Sequence, residues 1–265
     1  MSHRVSITID GEGIADVRLN RPEKMNACDL EMIEALSGAG SELAKDRSLR
    51  AVVLSGEGQA FCAGLDIALF SKLERSVEEL FEIKPESPAN FAQRAAWVWA
   101  ALPIPVIAAV HGVAFGAGFQ IALAADIRFV APDAKLSAME INWGLIPDMT
   151  GAASLRRLVG RDVAKELVFT GRIVSGVEAR ELGLATHLSE TPRDEAFELA
   201  REIARRSPDA VRAAKRLLGE SDPVAIRDRL ELEAGLQRAL IGAPNQLEAI
   251  RANLEQRAPN FEDPK

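Results

Sequence analysis

Residues 111–126 read HGVAFGAGFQIALAAD, a stretch in which three glycines interrupt a long apolar run. No Asp, Glu, Lys or Arg occurs between Ala95 and Ala125, and the first polar side chain after the glycines is Gln120. The pattern predicts a buried strand, a tight glycine turn and a short helix. The first N–H groups of such a helix have no intrahelical acceptor, so the main chain itself can bind an anion or a polarised oxygen.

A second stretch, FCAGLDIALF at residues 61–70, has the same order of strand, glycine turn and helix. Two such turns that faced each other would supply two N–H donors to one oxygen, which is the arrangement of an oxyanion hole. The alternative for each turn is an ordinary connection between a strand and a helix. A dinucleotide-binding turn is a further alternative for Gly116–Ile121, but isoleucine stands where the third glycine of that fingerprint belongs.

Composition limits the class of protein. The 265 residues are 48% hydrophobic and 27% charged, as expected for a globular chain, and 32 basic against 39 acidic residues give a net charge of −7. This charge argues against nucleic acid as a general partner. Prolines and glycines divide the uncharged stretch into pieces too short to span a bilayer, and the first residues lack the apolar core of a signal peptide. We therefore expect a cytoplasmic protein without a membrane segment.

The order of elements along the chain predicts an α/β fold. VSITID and IADVRLN alternate apolar and polar residues and predict a hairpin, while AVVLSG, IPVIAAV and DIRFVAP predict buried strands. Asp29 is placed to cap an amphipathic helix. Ser175 with Glu178 predicts a capped helix before Leu188. After Leu188 the chain becomes helical, with capping signals at Thr191-Pro192, Ser207-Pro208 and Asp222-Pro223. Leu230, Leu232, Leu236 and Leu240 predict apolar helix faces that pack on the core or on another subunit.

Two acids are candidates for proton transfer. Glu140 and Asp148 flank an apolar loop within MEINWGLIPDMTG, where poor solvation would raise the pKa of a carboxyl group. The alternative for Asp148 is that it caps the following helix. Cys62 beside the first glycine turn suits an activated thiol, but we favour simple burial because free cysteine is commonly a core residue. Neither cysteine has metal-ligand spacing, so no metal site is expected.

Four motifs in chain order resemble the crotonase (enoyl-CoA hydratase/isomerase) family. They are LNRPEKMNACD at 19–29, AFCAGLDI at 60–67, IAAVHGVAFGAGFQIALAADIRF at 107–129, and MEINWGLIPDMTG at 139–151 with RLVG and ELVFTGRIVSGVEARELGLATHL after it. The resemblance implies a crotonase-like spiral of repeated ββα units. It also implies a core at 1–190 that binds acyl-CoA and a helical region at 191–265 that builds a homotrimer or homohexamer.

The resemblance also implies roles for individual residues. The amides of Leu65 and Ala117 would hold the thioester oxygen of an acyl-CoA substrate and so stabilise an enolate. Coenzyme A enters as part of the substrate, and no permanently bound cofactor is implied. The residues expected to contact it are Lys24, Ala27, Ala63, Asp66 and Ile67.

Departures from the family pattern bear on the reaction. Hydratases of this family carry two glutamates, at the positions of Glu140 and Gln120, and Gln120 cannot transfer a proton. Asp148 occupies the position at which dienoyl-CoA isomerases carry a second proton carrier. We therefore favour double-bond isomerisation by Glu140 and Asp148. The alternatives are an enoyl-CoA hydratase that relies on Glu140, a non-catalytic acyl-CoA binder, and a Rossmann dehydrogenase.

Overall fold

The computed structural model describes residues 3–66, 81–83, 87–219 and 223–261. Within these ranges no helix is both long enough and apolar enough to cross a membrane. The strands are β1 (Val5–Ile9), β2 (Ile14–Leu19), β3 (Ala51–Gly56), β4 (Val106–Val110), β5 (Val113–Phe115), β6 (Ile127–Val130), β7 (Lys135–Ser137), β8 (Val174–Ser175) and β9 (His187–Leu188). The helices are α1 (Leu30–Leu43), α2 (Phe91–Ala101), α3 (Ala117–Ala124), α4 (Gly151–Leu158), α5 (Arg161–Thr170), α6 (Gly176–Leu182), α7 (Pro192–Ala204), α8 (Pro208–Leu218), α9 (Pro223–Leu240) and α10 (Pro244–Leu254).

The strands form two sheets. The larger has the order β1-β2-β3-β4-β6-β9, and the smaller has the order β5-β7-β8. The β1–β2 pair is the antiparallel hairpin that the alternating pattern predicts, while β2 to β9 in the large sheet are parallel. Parallel strands need helical crossovers, and those crossovers cover both faces of the sheet.

Both faces of the large sheet are buried. Along β3, Val52 and Leu54 belong to the main core with α1, α2 and α3. Val53 points the other way, into a smaller cluster that contains Ala196 and Ala200 of α7. Double burial explains why AVVLSG and IPVIAAV read as continuous apolar runs instead of alternating ones.

The local signals in the sequence agree with the structure at most places. The Asp29 carboxylate accepts the amide of Met32 and caps α1, and the Ser175 hydroxyl accepts the amide of Glu178 and caps α6. Thr191 precedes Pro192 at the start of α7 but makes no side-chain cap. Asp222 lies outside the described residues.

The first helix after residue 190 still packs on the large sheet. Helix α7 lies directly after the predicted boundary between 1–190 and 191–265, and it packs on the sheet through Ala196 and Ala200. Farther along, Leu217 and Leu218 at the end of α8 are 81% and 86% exposed. That other copies of the chain cover such surfaces, in a trimer or hexamer, stays a prediction.

A substitution at Gly118 tests how closely α3 packs against the segment around Cys62. A Cβ added at Gly118 would lie 2.6 Å from the Cys62 Cβ, whereas a Cβ added at Gly38 in α1 would meet nothing within 4 Å. We expect Gly118→Ala to lower the free energy of unfolding by about 1–3 kcal/mol because of overpacking. Gly38→Ala, the matched control, should raise it by about 0.5–1 kcal/mol because alanine favours the helix. Denaturant unfolding measures both, and equal effects would contradict the packing argument.

Candidate active site

The two glycine turns meet through their main chains. The amide of Cys62 donates to the Val113 carbonyl at 3.0 Å, and the amide of Phe115 donates back to the Cys62 carbonyl at 3.0 Å. Gly64 has φ +97°, and a Cβ there would lie 2.8 Å from the Phe115 carbonyl oxygen. Any larger residue at Gly64 would therefore push the turns apart. The first turn thus runs alongside the strand that leads into the second.

Two main-chain amides at these turns have no acceptor among the described residues. Cys28 pairs with the Leu65 segment through the bonds Cys28 N to Gly64 O (2.7 Å) and Asp66 N to Cys28 O (2.9 Å). In this pattern the N–H of Leu65 points away from Cys28. Ala117 is the first residue of α3, so its N–H has no intrahelical partner. Its nitrogen lies 3.8 Å from where a Cβ on Gly64 would be, which places the second free amide beside the first turn.

Glu140 lies against the second turn. It is part of the 3-10 helix Met139–Trp143, and a Cβ on Gly116 would lie 3.4 Å from its Oε1. Oε1 accepts a 2.6 Å hydrogen bond from Gln120 Nε2, while Oε2 is buried and has no partner among the described residues. Burial raises the pKa of Glu140 to about 7, against the opposing effects of a hydrogen bond from its own main-chain amide and of the Gln120 hydrogen bond. The carboxylate is therefore suited to accept a proton near neutral pH.

Gln120 connects Glu140 to the following loop. Its Oε1 accepts the amides of Met149 at 2.7 Å and Gly151 at 3.0 Å, while its Nε2 donates to Glu140. A neutral amide accepts at one end and donates at the other, which an ionised carboxylate cannot do. The structure thus places Gln120 as a link between Glu140 and the loop, in addition to its being unable to transfer a proton.

Asp148 does not cap the next helix. The residue before α4 is Thr150, which has φ 70° and makes no side-chain cap, so the capping alternative for Asp148 is wrong. The Asp148 carboxyl is buried, and its Oδ1 accepts from Gln237 Nε2 at 3.3 Å. Burial, followed by the charges of Glu233 and Glu140, raises the pKa of Asp148 well above its usual range. The group is thus disposed to hold a proton.

Glu233 in α9 is a third buried acid, which we did not single out in the sequence. Its Oε2 accepts the amide of Thr150 at 3.1 Å, and burial raises its pKa to about 7. Of the leucines in α9, Leu230 is buried, whereas Leu232 and Leu236 are 61% and 53% exposed, so their packing on another subunit stays a prediction. Leu230 by itself indicates the buried face of α9, because the residues three, four and seven positions later lie on the same side of the helix.

The residues expected to contact coenzyme A lie in two neighbouring loops. Lys24 is exposed at the end of the 3-10 helix Pro22–Lys24, and the amide of Ala63 donates to the Met25 carbonyl at 2.9 Å. Asp66 forms a 2.7 Å ion pair with Arg21, whose Nη1 also donates to the Ala27 carbonyl at 3.0 Å. Ile67 lies outside the described residues. Arg21, which the sequence did not single out, thus holds the two loops together.

The two cysteines are packed rather than presented to a ligand. Cys28 and Cys62 are fully buried, with their Sγ atoms 3.6 Å apart, and Cys62 Sγ donates to the Asn26 carbonyl at 3.1 Å. The hydrogen bond with the Cys62 thiol, followed by burial, raises the pKa of Cys28 well above its usual value. Burial therefore accounts for Cys62 better than an activated thiol does. Among the described residues, no group of three or more His, Cys, Asp or Glu side chains is arranged to hold a metal ion.

The sequence model of the enoyl-CoA hydratase/isomerase family matches residues 10–264. The chain belongs to this family. Among its relatives, methylglutaconyl-CoA hydratase of Mus musculus is 32% identical, over 95% of this chain and 80% of the mouse protein. YngF of Bacillus subtilis, named for the same family, is 35% identical over 97% of each chain.

Solved structures give the same result for the fold. Carnitinyl-CoA hydratase from Mycobacterium avium is similar with a TM-score of 0.87 and 28% identity, over 99% of each chain. An enoyl-CoA hydratase/isomerase from Pseudoalteromonas atlantica T6c has a TM-score of 0.86 and 25% identity, over 98% of this chain and all of that one. The crotonase-like α/β fold is thereby confirmed, and the protein is an enoyl-CoA hydratase/isomerase family enzyme that acts on acyl-CoA. The Rossmann dehydrogenase alternative is wrong.

The buried position of Glu140 predicts a pH-dependent stability. Its pKa rises from 4.5 in the unfolded chain to about 7 in the fold. The folded state therefore holds more protons between these values, and stability falls as pH rises through that window. The change in the free energy of unfolding caused by Glu140→Gln should therefore depend on pH. We expect this change to be more stabilising by about 1–3 kcal/mol at about pH 8 than at about pH 4. Denaturant unfolding at both pH values measures this, and a variant equally affected at both would contradict the assigned burial.

Proposed function

We propose that the protein isomerises double bonds of enoyl- or dienoyl-CoA thioesters by moving a proton between carbons of the acyl chain. The observation that carries this proposal is the pair of buried acids, Glu140 and Asp148, with the neutral Gln120 hydrogen-bonded to Glu140. One acid that ionises near neutral pH can remove a proton. The other, which stays protonated, can deliver one.

The proposed reaction has two proton transfers. The carboxylate of Glu140 removes a proton from the carbon next to the thioester carbonyl, and the resulting negative charge moves to the thioester oxygen. The N–H groups of Leu65 and Ala117 stabilise that oxygen, as donors aimed at developing charge do. Asp148 then protonates the far end of the conjugated system. For a 3,5-dienoyl-CoA the product is the 2,4-dienoyl-CoA, and solvent exchange returns the proton from Glu140 to Asp148.

Hydration of a 2-enoyl-CoA is the second candidate. It is favoured by the names of the relatives, two of which are a methylglutaconyl-CoA hydratase and a carnitinyl-CoA hydratase. In that reaction Glu140 would activate a water molecule. The difficulty is the second contact for the water, because Gln120 cannot transfer a proton, its Oε1 already accepts two loop amides, and one N–H of its Nε2 is used for Glu140.

Coenzyme A would lie along the loops at 21–27 and 63–67 in this proposal. Lys24 is exposed there and carries the charge that a phosphate group requires. Ala27, Ala63, Asp66 and Ile67 would line the same surface. Because Asp66 is paired with Arg21, its role would be to keep the two loops in register rather than to contact the nucleotide directly.

Proline at position 117 tests the main-chain donor. Ala117 is the first residue of α3, where proline is tolerated, so Ala117→Pro removes one N–H while keeping the helix. We expect kcat to fall by about 10²–10³, the usual effect of losing one oxyanion donor. Arg161→Pro, an exposed first residue of α5, is the matched control and should keep activity. A117P with the activity of R161P would show that the Ala117 amide is not used.

The two reactions are separated by substituting one acid at a time. Glu140→Gln should lower both isomerisation and hydration by about 10²–10⁴. Asp148→Asn should lower isomerisation by a similar factor and change hydration by less than about tenfold. Conjugation absorbance reports the 2,4-dienoyl-CoA, and chromatography reports the 3-hydroxyacyl-CoA.

The same measurements decide between the candidates. Wild-type protein that hydrates 2-enoyl-CoA and leaves 3,5-dienoyl-CoA unchanged would make the protein a hydratase. Wild-type protein that binds acyl-CoA without turning over either substrate, with E140Q indistinguishable from it, would make it a non-catalytic binder.

A further inference from the structure

The loop that carries Asp148 is held by side chains from distant parts of the chain. Helix α9 supplies two of them: Gln237 Oε1 accepts the amide of Ile146 at 3.0 Å, and Glu233 Oε2 accepts the amide of Thr150 at 3.1 Å. These two bonds lie on either side of Asp148. Gln237 also reaches Asp148 itself, because its Nε2 donates to Oδ1 at 3.3 Å. Helix α9 thus contacts both the main chain and the functional group of this loop.

The two α9 residues act from one buried face. Glu233 and Gln237 are four positions apart, so they lie one above the other on the helix, and each is only 5% exposed. One turn earlier, the Leu230 carbonyl accepts Gln93 Nε2 of α2 at 3.0 Å. This bond fixes the position of α9 along the core. The contacts with the Asp148 loop therefore depend on the tertiary packing of α9.

We propose that Glu233 and Gln237 of α9 are positioning residues for Asp148, Gln237 fixing the place of its carboxyl group and Glu233 keeping that group in its neutral, proton-donating form. This inference adds detail to the proposed isomerisation and rests on Asp148 being its proton donor. Neither residue needs to touch the substrate.

The charges around Asp148 support this assignment. The groups that face it are the carboxyls of Glu233 and Glu140, and both raise its pKa in addition to the effect of burial. Arg229 acts on Glu233 and lowers its pKa, but burial outweighs this effect. Glu233 Oε1 is buried and has no partner among the described residues. A negative charge on Asp148 would therefore be placed among other acids in a poorly solvated site, so the proton stays bound.

Glu233→Gln is the decisive variant, because the amide can still accept the Thr150 N–H but carries no charge. Isotope-edited infrared spectroscopy detects the carbonyl band of a protonated carboxylic acid, and the difference between wild type and Asp148→Asn assigns the Asp148 band. We expect this band to disappear at a pH lower by roughly one unit in E233Q than in wild type. Glu231→Gln removes an exposed carboxyl from the same helix and is the matched control.

Turnover gives a second readout. In E233Q, kcat for isomerisation should be close to wild type at about pH 6 and fall about tenfold at the alkaline pH where Asp148 has lost its proton, with KM unchanged. Gln237→Leu leaves the Ile146 amide and the Asp148 oxygen without their partner. It should lower kcat at every pH, because the donor is misplaced rather than ionised.

The proposal is overturned if the Asp148 band titrates at the same pH in E233Q and E231Q. It is overturned as well, without any α9 variant, if wild-type protein has no protonated Asp148 band at neutral pH. Because the infrared titration needs no turnover, its result stands whichever reaction the enzyme catalyses. An absent isomerase activity with the expected shift of the band would reject the proposed function and keep the role of α9.

Discussion

The site depends on how closely the main chains of the two glycine turns approach each other. Cys62 exchanges hydrogen bonds with the Val113–Phe115 strand, and the glycines at 64 and 118 leave no side chain between the two segments. A single methyl group at either position would reach the backbone or Cβ atoms opposite. The approach matters because main-chain donors cannot extend toward a ligand as side chains do. Two amides can serve one oxygen only if the chains that carry them are already adjacent.

The position of Glu140 also depends on the close approach of the two glycine turns. Glu140 lies against Gly116, so the second turn fixes where the carboxyl group stands relative to the free amide of Ala117. Gln120, one turn into the same helix, then connects Glu140 to the loop of Met149 and Gly151. The contacts run from the second turn to Glu140 and from Glu140 through Gln120 to the loop, and each step uses a group fixed by the previous one. The amide of Gln120 makes this connection because it accepts from the loop at Oε1 and donates to Glu140 at Nε2.

Local chemistry predicted much of this from the sequence. Double burial of β3 and β4, the Asp29 cap and the second glycine turn are properties of short segments, which neighbouring residues decide. The helix predicted after the first glycine turn lies outside the described residues. Glu233 was missed because its contact with Thr150 spans 83 residues, and because the exposed Leu232 and Leu236 are more apolar than the face that is buried. Asp148 could not be separated from a helix cap in the sequence. Only the position of Thr150 before α4 excludes that alternative.

Three buried carboxyls in one site have a cost for the fold as well as a use. Burial raises the pKa of Glu140 and Glu233 to about 7 and that of Asp148 further above its usual value. Each group therefore favours its neutral form, and stability is lost as pH rises through the range in which the groups ionise. A fold selected for stability alone would place apolar residues here. Both acids accept a hydrogen bond from a glutamine side chain, Glu140 from Gln120 and Asp148 from Gln237. The acids differ because the charges of Glu233 and Glu140 raise the pKa of Asp148 in addition to burial. In the proposed reaction, that difference would separate the proton acceptor from the proton donor within one poorly solvated site.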